Sequence, residues 1–107
     1  MIVYSDANPK MCAVVSEYHI TKVQHFVGPQ TVNEAEYLGV LFALSQFPNV
    51  TEIRSDSQVV VRQLTHVYHI KEDRLRVLAE RVWNISQGKV KFVWVPRKEN
   101  LAGMALK

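Results

Sequence analysis

The chain has 107 residues, 48% of them hydrophobic, so it can build one domain with a single modest core but not a second domain. No apolar stretch approaches the ~20 residues that a bilayer requires, and the first residues carry no basic leader or cleavage site. We therefore expect a soluble, cytoplasmic protein that does not enter a membrane. The formal net charge of +3 is uneven, because residues 71–98 hold eight Lys or Arg against three acids. This asymmetry favours a polyanionic partner, although a solvated basic helix face explains it equally well.

The first quarter of the chain has the pattern of three short strands. A β-rich run over residues 2–5 ends at Asp6, and the Asn-Pro chemistry of residues 7–10 predicts a turn. Residues 11–18 and 20–27 are two further strand-like runs. We predict an antiparallel three-strand meander.

A helix is predicted to begin at Thr31. Thr31 or Asn33 can cap it, Glu34 places an acid in its first turn, and Pro48 ends it. Apolar residues cover almost the whole circumference of this helix. It must therefore be covered on more than one side.

The next unit is a strand over residues 51–55 that ends at Asp56, followed by a helix over residues 57–65 that Asp56 or Ser57 can cap. The preceding helix serves as a crossover. A crossover of this kind implies that the strand pairs in parallel with the first strand of the chain.

The last third of the chain adds a longer helix over residues 72–86, a strand over residues 90–95, and a loop that enters a short final helix within residues 96–107. The apolar stripe of the longer helix consists of Leu75, Leu78, Val82 and Ile85. The element order predicts the α/β class, with a mixed five-stranded sheet made of the antiparallel meander and parallel strands, flanked by helices.

Three side chains outside this pattern have a plain interpretation. Cys12 is the only cysteine, so it cannot form an internal disulfide, and its apolar neighbours indicate a small buried hydrophobe. Trp83 and Trp94 can stack on bases, but their spacing favours core positions.

Three acids stand at positions that the predicted fold brings together. Asp6 and Asp56 follow strands whose carboxyl ends meet at one edge of the sheet, and Glu36 lies in the first turn of the intervening helix. Taken alone, each acid fits a turn, a helix terminus or a cap. Together they would repel one another unless a hard divalent cation such as Mg²⁺ or Mn²⁺ neutralised them.

Four segments resemble ribonuclease H type 1 over nearly the whole chain. They are Tyr4-Ser5-Asp6, Thr31-x-Asn33-x-x-Glu36, Ser55-Asp56-Ser57-Gln58 and the tail from Trp94 to Asn100. The resemblance implies that residues 1–107 form a single ribonuclease H-like domain. It also implies an endonuclease that cleaves the RNA strand of an RNA/DNA hybrid with two divalent metal ions, and we favour a monomer.

The resemblance also assigns site residues. Asp6, Glu36 and Asp56 match the first three catalytic metal ligands of the family, and Asp6 is expected to bridge both ions. The family's neutral substrate contacts match Thr31, Asn33 and Gln58, and Asn8 offers a further phosphate contact. Arg97 and Lys98 occupy the loop where many members carry a histidine, and they can grip phosphate.

One departure from the family pattern bears on activity. The family's last acid lies four residues after the position matched by Asn100, which is Met104 here. Three explanations are open: Glu99 or the Asn100 amide replaces it as a metal ligand, three carboxylates suffice, or activity is lost. The sequence also lacks the basic insertion that some members use to hold the hybrid. Two alternatives follow: a catalytically impaired nucleic-acid-binding domain, and a DNA nuclease or recombination enzyme of the same superfamily.

Overall fold

The computed structural model describes residues 1–106, and its centre is one mixed five-stranded sheet. The strand order is β3-β2-β1-β4-β5, with antiparallel pairing in the first three strands and parallel pairing from β1 through β4 to β5. This confirms the predicted fold class. The strands are β1 (Ile2–Asn8), β2 (Met11–Ser16), β3 (Thr21–His25), β4 (Glu52–Ser55) and β5 (Lys91–Trp94). The helices are α1 (Val32–Gln46), α2 (Gln58–Leu64) and α3 (Asp73–Ser86), followed by two 3₁₀ segments, Arg97–Glu99 and Leu101–Leu106.

The meander is confirmed, but the predicted end of its first strand is wrong. Strand β1 continues past Asp6, because Ala7 and Asn8 pair with β2. The turn is shorter than predicted, and the Asn8 side-chain oxygen accepts the N–H groups of Lys10 and Met11 at 2.9 and 3.0 Å. Asp6 therefore lies within a paired strand, which fixes its backbone more firmly than a turn would.

Helix α1 begins as its sequence predicts. The Thr31 hydroxyl accepts the N–H of Glu34, and the Glu34 carboxylate accepts the N–H of Thr31, which completes a capping box. The helix packs against β1 and β2 on one side and against α3 and α2 on others, as its apolar circumference requires. Its most buried large side chain, Tyr37, donates its hydroxyl to Gln63 of α2 at 2.8 Å.

Strand β4 and helix α2 set the position of Asp56. Strand β4 pairs in parallel with β1, so both strands point their carboxyl ends toward the same edge of the sheet. Ser57 caps α2, because its hydroxyl accepts the N–H of Val60. Asp56 occupies the single position between the end of β4 and this cap.

Two predictions about burial are wrong. Ile85 is 57% exposed, because the buried stripe of α3 passes through Ala79 and Ser86 instead. Trp94 is 40% exposed, because it stands on the edge strand β5 at its carboxyl end. Cys12 is fully buried, as predicted. Among residues 1–106, no helix combines the length and apolar character needed to cross a membrane.

Candidate metal centre

Three carboxylates from three different elements meet at one edge of the sheet. Asp6 comes from β1, Glu36 from near the N-terminus of α1, and Asp56 from the bend after β4. One ligand atom of each lies within 4.8 Å of the corresponding atoms of the other two. The structure thus brings together the three acids that the sequence singled out, although they are separated by 20 to 50 residues along the chain.

The cluster holds its negative charge at a cost in free energy. Glu36 is 6% exposed, and its burial, with the nearby charges of Asp6 and Asp56, raises its pKa to about 8. Burial and the charge of Asp56 also raise the pKa of Asp6, against the opposing effects of the Ala7 N–H and the Arg97 guanidinium. Without a counter-ion, the site therefore binds a proton more tightly than isolated carboxyl groups do.

The buried oxygens of this cluster fit a cation. Glu36 Oε1 and Asp56 Oδ2 are buried and receive no hydrogen bond from any of residues 1–106. A buried carboxylate oxygen left unpaired costs free energy, and carboxylate oxygens are the ligands that hard divalent ions prefer. Asp6 uses one oxygen to accept the Ala7 N–H at 2.9 Å. The donor set therefore suits Mg²⁺ or Mn²⁺, and the identity of the ion belongs to the proposal below.

The segment Leu101–Leu106 closes one side of the cluster without adding an acid. It packs against β1 and β2, and Gly103 approaches so closely that a Cβ atom there would lie 3.3 Å from Asp6 Oδ2. Met104, which is 77% exposed, lines the same cleft as Asp6. Met104, to which the resemblance assigns the place of the family's last acid, thus lines the cleft next to Asp6 with a thioether.

Neither predicted substitute for that acid joins the cluster. Asn100 is 4% exposed, and both ends of its amide bind the backbone: the nitrogen donates to Ser5 O at 2.9 Å, and the oxygen accepts the Ala102 N–H at 3.0 Å. Glu99 is exposed at the end of the first 3₁₀ segment and lies outside the three-acid group. Asn100 therefore ties the C-terminal segment to β1.

A cleft of about 510 Å³ opens beside the carboxylates. Its lining includes Asp6, Asn8, Arg97, Lys98 and Met104. Arg97 and Lys98 are exposed, so their cationic groups can meet a ligand from solvent. The structure thus places three of the six predicted substrate contacts in the cleft next to Asp6.

The other three predicted contacts lie at the starts of two helices. Thr31 uses its hydroxyl as the cap of α1, and Asn33 is half-buried one turn before Glu36. Gln58 is exposed as the first residue of α2, two residues after Asp56. In the sequence, Thr31 and Asn33 precede Glu36, and Gln58 follows Asp56. Their contacts with a substrate remain predictions.

Sequence reasoning missed two groups that shape the site. Gly103 allows the close approach to Asp6, and the only signal for it was a glycine inside a short helical pattern. The Trp94 indole N–H donates to the backbone oxygen of Asp56 at 3.2 Å. No pattern in the sequence indicates that bond, because its partners are 38 residues apart.

A family model described as reverse transcriptase-like matches residues 16–106. The chain belongs to this family. The match begins after Asp6, so the place of Asp6 in the site rests on the geometry described above. No sequence among curated proteins matches the chain.

Two RNase H1 proteins are among the solved structures of similar fold. RNase H1 from the halophilic archaeon Halobacterium salinarum NRC-1 is 25% identical, with a TM-score of 0.83 over 98% of this chain and 92% of that one. LC11-RNase H1, isolated from compost by a metagenomic approach, is 28% identical, with a TM-score of 0.82 over 98% and 90%. LC11-RNase H1 in complex with an RNA/DNA hybrid, at 24% identity and a TM-score of 0.79 over 99% of each chain, shows the shared fold alone. The resemblance to ribonuclease H type 1 is confirmed, and the fold and family support a nuclease of that kind.

Proposed function

We propose that this ribonuclease H-like chain is a metal-dependent endonuclease that cleaves the RNA strand of RNA/DNA hybrids. The observation that carries the proposal is the cluster of Asp6, Glu36 and Asp56, which offer one ligand atom each within 4.8 Å of one another. Two carboxylate oxygens of the cluster are also buried and have no hydrogen-bond partner in residues 1–106. Such a cluster lowers the stability of the fold unless its carboxylates bind cations.

The three carboxylates would hold two divalent ions, Mg²⁺ or Mn²⁺. When bound, ions of this class make water a better nucleophile and stabilise the leaving oxygen of a phosphodiester. Glu36 must lose its proton to act as a ligand, and with a pKa of about 8 it does so readily only when a cation competes for its oxygens. The pairing of β1 with β2 holds the Asp6 backbone, the Ala7 N–H binds one Asp6 carboxylate oxygen, and Gly103 leaves room beside the other.

The surrounding groups suit a hybrid as substrate. Arg97 and Lys98 would grip phosphate in the cleft, together with Asn8. Thr31, Asn33 and Gln58 would supply neutral groups that contact 2′-hydroxyls or base edges without demanding a sequence. A relative of the same fold has been solved with an RNA/DNA hybrid, which supports this substrate class.

Met104 favours a second candidate, a domain that binds nucleic acid but does not cleave it. The cleft beside Asp6 holds an exposed thioether where the family has its last acid. Asn100 is held by two backbone hydrogen bonds and Glu99 lies outside the cluster, so neither compensates directly. We propose that the three carboxylates suffice, with a higher metal requirement than four would need.

Cleavage of a strand-labelled RNA/DNA hybrid tests the proposal in Mg²⁺, in Mn²⁺ and in chelator. The parent should cut the RNA strand only with metal, and Asp6→Asn should lower the rate at least about 100-fold. Asp73→Asn is the matched control, because Asp73 is an exposed acid on α3 whose carboxylate binds Arg76. Its rate should equal that of the parent.

The outcomes separate the candidates. Binding of the hybrid without cleavage in either metal would favour the binding domain. Faster cleavage of duplex or branched DNA than of the hybrid would favour a DNA nuclease. Equal cleavage by the parent and Asp6→Asn would contradict the carboxylate assignment.

A further inference from the structure

The exposed tryptophan at the end of β5 makes a hydrogen bond into the carboxylate site. Trp94 Nε1 donates to the backbone oxygen of Asp56 at 3.2 Å, while its ring remains 40% exposed. A partly exposed tryptophan ring is ordinary on an edge strand, so the exposure alone indicates no role. The feature that distinguishes Trp94 is the partner of its indole N–H, a residue of the carboxylate site.

The bond is to the Asp56 carbonyl, which lies outside the regular hydrogen bonding of the sheet and of α2. The ladder between β4 and β5 ends when Val95 N–H donates to Ser55 O at 2.9 Å. The α-helical ladder of α2 begins at the Ser57 carbonyl, which accepts the N–H of Val61 at 3.1 Å. Asp56 lies between these two ladders, in a bend. The indole N–H thus adds one hydrogen bond between β5 and the residue that follows β4.

The direction of the Asp56 carboxylate depends on how firmly its backbone is held. Its Oδ2 is buried and accepts no hydrogen bond from residues 1–106, so no hydrogen bond to that oxygen fixes the direction of the carboxylate. A bond to the backbone of a metal-ligating residue limits the directions its carboxylate can take. Groups that orient ligands in this way affect metal affinity even though they do not touch the ion.

We propose that Trp94 is a positioning residue that holds the Asp56 carboxylate in the geometry for divalent cations through its indole N–H. This inference rests on the proposed function, since it assumes that Asp56 is a metal ligand. It assigns the exposed indole a role in metal binding rather than in stacking on bases.

The chain supplies a matched control. It contains two tryptophans, and the other, Trp83, makes the same kind of bond: its Nε1 donates to Leu64 O at 3.0 Å. Leu64 is the last residue of α2, at the opposite end of that helix from Asp56. Trp94→Phe and Trp83→Phe therefore each remove one indole N–H donor to a backbone oxygen, but only the first bond reaches the carboxylate site.

Calorimetric titration with Mn²⁺ tests the proposal on the whole chain. Trp94→Phe should weaken Mn²⁺ binding about 10-fold, the low end of the effect typical for groups that orient metal ligands. Trp83→Phe should bind Mn²⁺ as the parent does. In hybrid cleavage, Trp94→Phe should raise the Mn²⁺ concentration for half-maximal rate and recover most of the parent rate at saturating Mn²⁺. Thermal unfolding of each variant in chelator verifies that it folds.

A background that lacks the Asp56 carboxylate isolates the route of the effect. Asp56→Asn should weaken Mn²⁺ binding by itself, and adding Trp94→Phe should change it no further. Equal Mn²⁺ affinity in the parent and Trp94→Phe, equal losses in both tryptophan variants, or a full further loss in the Asp56→Asn background would overturn the positioning role. Absence of Mn²⁺ binding by the parent contradicts the proposed function itself, and this inference then falls with it.

Discussion

At the scale of single residues, Glu36 is the most deeply buried acid in residues 1–106. Its side chain belongs to the second turn of α1 rather than to the first turn as predicted, and it is almost fully buried beside two other acids. Helix N-termini stabilise negative charge, but that gain is smaller than the cost of burying a carboxylate next to like charges. The residue is therefore a source of instability in the metal-free protein.

The raised pKa of Glu36 predicts the direction in which stability changes with pH, and thermal unfolding in chelator measures that change. The folded state holds the Glu36 proton up to about pH 8, whereas the unfolded chain releases it near 4.5. Stability from this group is thus greatest below 4.5 and is lost as the pH rises toward 8. Replacing Glu36 by Gln should stabilise the protein on the order of a few kcal/mol more at pH 8.5 than at pH 5. The same gain at both pH values would contradict the assigned cause.

The three acids could be predicted because of their joint placement on neighbouring predicted elements and because of the family resemblance. These signals did not predict the role of Asn100, whose partner Ser5 is 95 residues away. From the sequence, an amide next to a predicted metal site is a candidate ligand. In the structure, both ends of the Asn100 amide bind the backbone instead. The burial of Trp94 was likewise misjudged, because a sequence window does not reveal that β5 is an edge strand.

At the scale of elements, the C-terminal segment Leu101–Leu106 is held to the sheet through few polar contacts. The Asn100 amide links the two through buried bonds, because its nitrogen donates to Ser5 O of β1 and its oxygen accepts the N–H of Ala102 in the segment. Loss of that amide leaves a buried carbonyl and a buried N–H without partners, and it loosens the segment that brings Gly103 to Asp6.

Asn100→Ala should lower the free energy of unfolding by about 2–3 kcal/mol, measured by denaturant titration. Asn84→Ala serves as a control, since Asn84 is exposed on α3, and it should change stability by less than about 0.5 kcal/mol. If Asn100→Ala leaves stability intact and instead weakens Mn²⁺ binding, Asn100 acts as a ligand and the account of this segment is wrong.

The order and type of elements followed from the sequence because each carries a strong local signal. The capping residues Thr31 and Ser57 are where the pattern predicted caps. Element ends were less predictable, because pairing can override local chemistry: Ala7 and Asn8 join β1 since β2 offers partners for them. The two strands adjoining the site, β1 and β4, are parallel neighbours, which is why the predicted convergence of their acids holds.

At the scale of the whole molecule, most basic residues of the last third do not line the carboxylate cleft. Arg74 and Arg76 contact the acids Glu34 and Asp73, and only Arg97 and Lys98 line the carboxylate cleft. Lys91 stands at the start of β5, at the far end of that strand from Trp94. The net charge therefore overstates the number of phosphate contacts at the site.

Hybrid binding should accordingly depend on salt through a small set of contacts. In an Asp6→Asn background, which prevents cleavage, adding Arg97→Ala or Lys98→Ala should reduce the slope of log K against log salt concentration by about 1. Lys91→Ala should leave the slope unchanged. Equal reductions in all three variants would mean that the hybrid binds a broad basic surface rather than the cleft.

The central claim is that Asp6, Glu36 and Asp56 form a centre for divalent cations, and calorimetric titration with Mn²⁺ tests it most directly. The account predicts that the parent and Asp73→Asn bind Mn²⁺ alike, that Asp6→Asn binds it at least about 10-fold more weakly, and that Met104→Asp binds it more tightly by adding a fourth carboxylate beside Asp6. Unchanged Mn²⁺ binding in Asp6→Asn would contradict the account.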